Sequence, residues 1–214
     1  DLNQDNSVER LLPEGRVLKA VHLARTVVEA GTLINVAKMK THNLAVVTLC
    51  TKNLQGMLAP LCHRHLCTAY PRHPNDNGIG LAHHVVDKPS RFFQKQVDLY
   101  TAIKPDLHIV EGIVGRDGTG FNRGNNIPMG LALAGYDALA VDHVGAELMG
   151  FAAEEVGCLD AATVRGLYHL DPSRLHVLYL REEKWRSCPD WRRYRAQPAF
   201  ELLRREDIVY DEEP

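Results

Sequence analysis

Apolar positions along the chain fall into short runs broken by polar, glycine and proline residues, and the spacing within each run predicts an element. Residues 1–16 are mostly polar, hold Pro13 and Gly15, and read as a lead-in segment. From 17 to 30, Val17, Leu18, Val21, Leu23, Val27 and Val28 have mixed spacing that fits a strand or a helix. Gly31 ends that stretch, and Leu33–Ala37 predicts a short buried strand. From Asn43 to Leu58, the recurrence of Leu44, Val47, Leu54 and Leu58 predicts a helix, with no proline before Pro60. Residues 60–90 lose periodicity and hold Pro60, Pro71, Pro74, Pro89, the Asn75–Gly78 turn signal and a run of histidines. A connection that long is usually functional. Arg91–Ile103 then predicts an amphipathic helix burying Phe92, Phe93, Val97, Leu99 and Ile103, stopped by Pro105. Leu107–Glu111 predicts a second strand, and Met129–Ala134 a third. Asp137 suits the N-cap of a helix over Ala138–Met149 that Gly150 ends. A helix over Ala161–His169 and a strand over Leu175–Leu180 complete the series.

Strands alternating with helices predict an α/β fold: a layered sheet, mostly parallel or mixed, flanked by helices, with an irregular His-rich insertion. One domain over 1–180 and a C-terminal Arg/Trp-rich arm over 181–214 are expected. Composition leaves this picture intact, since 45% hydrophobic and 24% charged residues are ordinary for a soluble globular chain. A formal charge of −2 supplies no global basic field, so nucleic acid is not an expected partner. No run of 18 apolar residues stands in the sequence, so no membrane span is expected. Five cysteines, an odd number, fit reduced thiols and a cytoplasmic setting better than a disulfide scaffold. The first residue is Asp1 rather than methionine, which fits a processed product or a fragment.

The candidate chemistry concentrates in Lys38-Met-Lys-Thr-His42, at the end of the first predicted strand. Open α/β sheets place ligand crevices at strand carboxyl ends. On extended backbone Lys38 and Lys40 share one face and Met39 takes the other. If a helix starts here, its free N–H groups favour an anion, and Thr41, Thr48 and Lys52 form one stripe on it, beside Asn53. Two lysines suit carboxylate or phosphate, and His42 suits proton transfer. Solvated lysines and a capping Thr41 or His42 are the plain structural alternative.

Gly115-Arg-Asp-Gly118-Thr-Gly120 follows the second strand but forms neither a dinucleotide fingerprint nor a P-loop. Gly118 and Gly120 would let backbone approach a ligand, or simply make a turn. Glu111 is a candidate base, metal ligand or partner of Lys40, with a solvated carboxylate beside a turn-forming loop as the structural alternative. Asp142, on a mainly apolar helix, needs a reason; pairing with a lysine across the site is one, and a solvent-facing position is the simpler alternative. Cys62-His-Arg-His65-Leu-Cys67 with His73, His83 and His84 holds metal-ligating residue types at a spacing that matches no common zinc module. The Arg/Trp arm fits packing or an interface better than nucleic acid.

At these residues the chain resembles the domain-of-unknown-function family numbered 362. The resemblance runs through Leu33–His42, Thr48, Lys52-Asn-Leu-Gln-Gly56, Lys104–Ile113, the glycine loop to Gly124, Tyr136–Asp142 and Leu148-Met-Gly150. The family usually has Asp at Glu111, Gly-Pro at Gly120-Phe121, and Ser/Thr-Asp-Pro at Tyr136-Asp137-Ala138. A family histidine downstream of the Lys-Asn motif would be His65, His83 or His84. The family's earlier α/β portion with a Pro-Asn motif is missing before the first matched strand. Relatives are often joined to ferredoxin-type iron–sulfur domains, and no cluster motif stands in this sequence. The family's activity is largely undefined, so the resemblance implies a fold and a site.

Together these readings favour an enzyme acting on a small anionic molecule. Lys38, Lys40 and Lys52 would hold the anion and His42 would handle a proton. Glu111 and Asp142 would serve as base, orienter or ligands of a divalent metal. An oxidoreductase component with a redox protein partner, and a non-catalytic binding or assembly subunit, are the alternatives. A homo-oligomer fits either.

Overall fold

The computed structural model describes residues 1–2, 4–59 and 89–204. The chain opens with an antiparallel pair, β1 (Ser7–Leu11) and β2 (Ala20–Ala24), and a short helix α1 (Arg25–Glu29). β3 (Ile34–His42) runs longer than the predicted strand, so Lys38 to His42 are strand residues rather than a turn into a helix. Burial alternates along it: Asn35, Ala37, Met39 and Thr41 face the core, while Ile34, Val36 and Lys38 face outward. That is a half-buried strand, not the fully buried one its apolar run suggests.

The predicted helix over 43–58 is replaced by three smaller pieces. A turn follows β3, and β4 (Val46–Thr48) folds back antiparallel with Lys40 opposite Thr48. Two backbone N–H groups in the turn donate to the His42 ring, which stabilises the reversal. β-Branched Val46, Val47 and Thr48 suit the strand. α2 (Cys50–Asn53) and a 3₁₀ turn (Leu54–Met57) then carry the chain onward.

α3 (Pro89–Ala102) matches its prediction closely. β5 (Leu107–Arg116) absorbs the first part of the glycine-rich stretch, and β6 (Asn126–Gly135) returns antiparallel. α4 (Ala138–Met149) has Asp137 as its N-cap, accepting from Leu139 N at 2.7 Å, and Gly150 at φ 104° beyond its end. α5 (Gly157–Val164) starts four residues earlier than the predicted helix. β7 (Leu178–Arg181) and β8 (Lys184–Ser187) form a hairpin.

The central sheet has the order β4-β3-β5-β6, with β3 and β5 parallel and the other pairs antiparallel. It is a mixed sheet with flanking helices, an α/β fold. One face packs against α2 and α4 through Ala37, Met39, Val110, Leu49, Leu139 and Met149. The opposite face leaves Ile34, Val36 and Ile113 exposed at 50%, 58% and 63%. The segment after β8 packs into the core through Cys188, Trp191, Ala196 and Phe200. Gly115 in β5 has no room for a side chain, because a Cβ there would lie 2.4 Å from the Phe200 ring.

Candidate functional site

The β3–β4 hairpin and the loop after β5 bring the site together. Lys40 projects between them, its Nζ 3.3 Å from Thr48 Oγ1 and 3.9 Å from the centre of the Phe121 ring. The loop is fastened to β3: Thr41 Oγ1 donates to the Gly118 carbonyl at 2.8 Å. Gly120 sits at φ 75°, and a Cβ on it would lie 2.0 Å from the Thr41 carbonyl and 3.5 Å from Lys40 Nζ. Only glycine allows this approach, which places Phe121 over the lysine. Gly118, at φ 68°, likewise faces backbone in its own loop.

Lys40 forms no ion pair with any carboxylate among the described residues. Burial, with the charge of Lys52 second, pushes its pKa down to about 8. His42 is buried between two rings, stacked on Phe92 and edge-on to Phe121, each with centroids 6.4 Å away. Burial first, then the Lys52 and Lys40 charges, pushes it down to about 3. The imidazole is therefore neutral near pH 7. Its Nδ1 accepts from Leu44 N and Ala45 N, both at 3.1 Å, so its proton is on Nε2. Both Lys40 and His42 respond to Lys52, so the three form one electropositive corner.

The remaining predicted residues lie around this corner in different roles. Glu111 pairs with Lys38 rather than with Lys40, on the exposed sheet face, because the parallel register of β3 and β5 sets Lys38 opposite it. That hydrogen bond and the Ile113 N–H hold the Glu111 carboxyl below its usual range. Asp142 is fully buried in α4, and its two oxygens accept Cys50 N at 2.7 Å and Thr51 N at 2.9 Å. Burial pushes its pKa up to about 6 against those hydrogen bonds. The carboxylate thus occupies N-terminal N–H groups of α2, and the helix start expected directly after His42 to favour an anion is a strand and turn instead. Asn53 Nδ2 donates to Asn35 Oδ1 at 2.8 Å and to the Val36 carbonyl at 3.0 Å. Asp142 and Asn53 fix α2, which carries Lys52.

Sequence reasoning missed Asn35, His108 and Phe121. Asn35 Nδ2 reaches the Cys50 carbonyl at 2.9 Å and His108 Nδ1 at 3.0 Å, below the sheet. An asparagine inside an apolar strand was the available signal, since a buried amide requires partners. A second buried network was also missed: His143 bridges the Tyr168 hydroxyl at 2.9 Å and Glu147 Oε1 at 3.1 Å. Glu147 in turn receives Arg192 and Arg195 from the C-terminal segment. No group of three or more His, Cys, Asp or Glu gathers at metal-binding distance among the described residues. Cys62, Cys67, His65, His73, His83 and His84 lie outside the described residues. Among the described residues no helix is long and apolar enough to cross a membrane.

A family model described as Domain of unknown function (DUF362) matches residues 1–147. The thylakoid-associated protein sll1697 of Synechocystis sp. (strain ATCC 27184 / PCC 6803 / Kazusa) is 26% identical over 129 residues, covering 60% of this chain and 36% of that protein. The chain therefore matches about a third of that relative's length. No solved structure matches the chain significantly.

Proposed function

The chain belongs to the DUF362 family, and from that premise we propose an enzyme acting on a small carboxylate or phosphate held beside Lys40 and Lys52. The observation that carries this reading is a half-buried lysine with a hydroxyl and an aromatic ring as neighbours and no acid among the described residues. Among the described residues no carboxylate neutralises Lys40. An anion about 4 Å away would gain on the order of 4 kcal/mol from each cation at a surface-like dielectric, before its own desolvation. Thr48 and the Nε2–H of His42 supply neutral hydrogen-bonding groups. The loop at Gly118 and Gly120 forms a wall. Thr41 secures that wall, and Asp142 and Asn53 hold α2 in place. Lys38 and Glu111 satisfy each other on the open sheet face and stand outside the proposed contact set.

Titration of the protein with inorganic phosphate and with pyruvate, followed by calorimetry, tests the reading. Lys40→Met is expected to weaken binding about 10-fold or more, whereas Lys38→Met leaves it nearly unchanged. Equal loss from both variants, or no binding by the unaltered protein, overturns it.

A non-catalytic ligand-binding or assembly subunit is the second reading. It is favoured by the strongly lowered His42 and by the prior engagement of both Glu111 and Asp142. Turnover of any bound anion separates the two. The iron–sulfur oxidoreductase component has no separate support from this site. A cytoplasmic setting remains part of the proposal, in keeping with free, buried Cys50, Cys158 and Cys188. Thylakoid association is a property stated of the Synechocystis relative.

A further inference from the structure

The contrast between the two lysines of β3 goes beyond anion binding. Lys38 is exposed and paired with Glu111. Lys40, two residues on, is half-buried, and its amine lies against a ring and a hydroxyl. Among the described residues, the groups facing it are Lys52 from α2, His42 from its own strand, Thr48 from β4 and Phe121 from the loop after β5. None of these is an acid that would hold the ammonium form. An amine that burial and a neighbouring cation make easier to deprotonate is the arrangement that makes lysine a nucleophile toward carbonyl carbon.

We propose that Lys40 forms an imine with an anionic carbonyl compound of the 2-oxo-carboxylate class, whose carboxylate is held by Lys52. This rests on the anion-site reading above and extends it to a covalent step. The ammonium first releases one proton to solvent. The Nζ lone pair then adds to the carbonyl carbon and the C=O π pair moves to oxygen. One proton passes from nitrogen to that oxygen, giving a carbinolamine; the hydroxyl then takes back the proton released at the start and leaves as one water while the nitrogen lone pair forms C=N, giving the iminium directly. Ammonium plus carbonyl thus becomes iminium plus water, with no oxidant or reductant. Thr48 Oγ1, within reach of the nitrogen, is positioned to hydrogen-bond the carbinolamine. The lowered pKa agrees with this chemistry, because an amine near 8 is about 200-fold more often neutral at pH 7.5 than one near 10.5.

The test uses the full chain, pyruvate as probe and cyanoborohydride to trap the imine, with peptide mass spectrometry to locate the adduct. Labelling of Lys40 is expected to exceed that of Lys38 and Lys104 by about 10-fold or more. The adduct site should disappear in Lys40→Arg, and the Lys40 preference should fall in Lys52→Met. Equal labelling across the lysines, or labelling centred on Lys52, overturns the proposal without requiring any variant to fold. Acetone, an uncharged carbonyl, separates this result from the anion reading. A Lys40 preference equal for acetone and pyruvate supports the imine and removes the role of the carboxylate. Pyruvate bound in calorimetry without preferential trapping at Lys40 overturns the imine and leaves the anion site standing.

Discussion

His42 shows how burial redirects a residue type. Free histidine titrates near ~6.5 and suits proton transfer, but this ring is enclosed by Phe92 and Phe121 and faces two lysines. Its folded pKa lies well below its unfolded value, so the unfolded chain takes up the proton first as pH falls. The stability from this site is fully present above about pH 6.5 and is lost progressively toward about pH 3. At pH 4.5 the loss should be roughly 2–3 kcal/mol. His42→Gln removes the titration but also the ring's two backbone hydrogen bonds. Urea unfolding should therefore find the variant less stable at pH 7.5, with the gap narrowed by about 2 kcal/mol at pH 4.5. A gap that stays constant or widens contradicts the assignment of a buried neutral ring. The residue types of the site were legible in the sequence, including both lysines, Thr48 and Lys52. Their partners were not, because Phe121 reaches Lys40 only through the close approach of Gly120 to β3. Nothing in a linear pattern separates Lys38, which finds a carboxylate, from Lys40, which finds none among the described residues.

At the scale of elements, the β7–β8 turn departs from its usual chemistry. Glu182 and Glu183 both adopt positive φ, at 51° and 62°, where two-residue hairpins favour asparagine followed by glycine. Left-handed backbone costs a non-glycine residue about 1–2 kcal/mol. The double substitution Glu182→Asn with Glu183→Gly should raise stability by about 1 kcal/mol, read as an increase of a few degrees in Tm. The effect should reach the whole unfolding transition, because Tyr179 of this hairpin packs with the Cys188–Trp191 cluster. An unchanged or lower Tm would show that the turn geometry is not limiting. Element prediction succeeded where period and stop signals agreed, as in α3 with Pro105 beyond it and α4 between Asp137 and Gly150. It failed over 43–58. There the apolar spacing suited a helix, but the His42-bonded turn reverses the chain into a hairpin, with Val46 held at φ 68° against the cost of left-handed backbone to a β-branched residue. A long-range contact also decided α2, since the carboxylate that caps it lies about ninety positions downstream in α4.

For the whole molecule, layer order was legible from the alternation of strands and helices, and it is the basis of the α/β assignment. The mixed direction of the sheet was left open, because strand direction depends on connections rather than periodicity. The tail after β8 changes composition, yet it is bound into the body by Phe200 against Gly115 and by Arg192 and Arg195 on Glu147. The parallel junction of β3 with β5 also sets an order of assembly. β5 and β6 are joined by residues 117–125, whereas Ile34 must find Leu107 across most of the intervening chain. Short loops close faster than long ones, and non-local pairing is slow to be rewarded. The β5–β6 hairpin should therefore be the template, with β3 arriving afterwards and bringing Lys40 and His42 with it. In stopped-flow experiments Leu133→Ala on β6 should chiefly slow refolding, while Met39→Ala on β3 should chiefly speed unfolding. The reverse partition would mean that β3 joins before the barrier. In the expected order, the corner around Lys40 and His42 is the last part of the sheet to be completed on refolding and the first to be lost on unfolding.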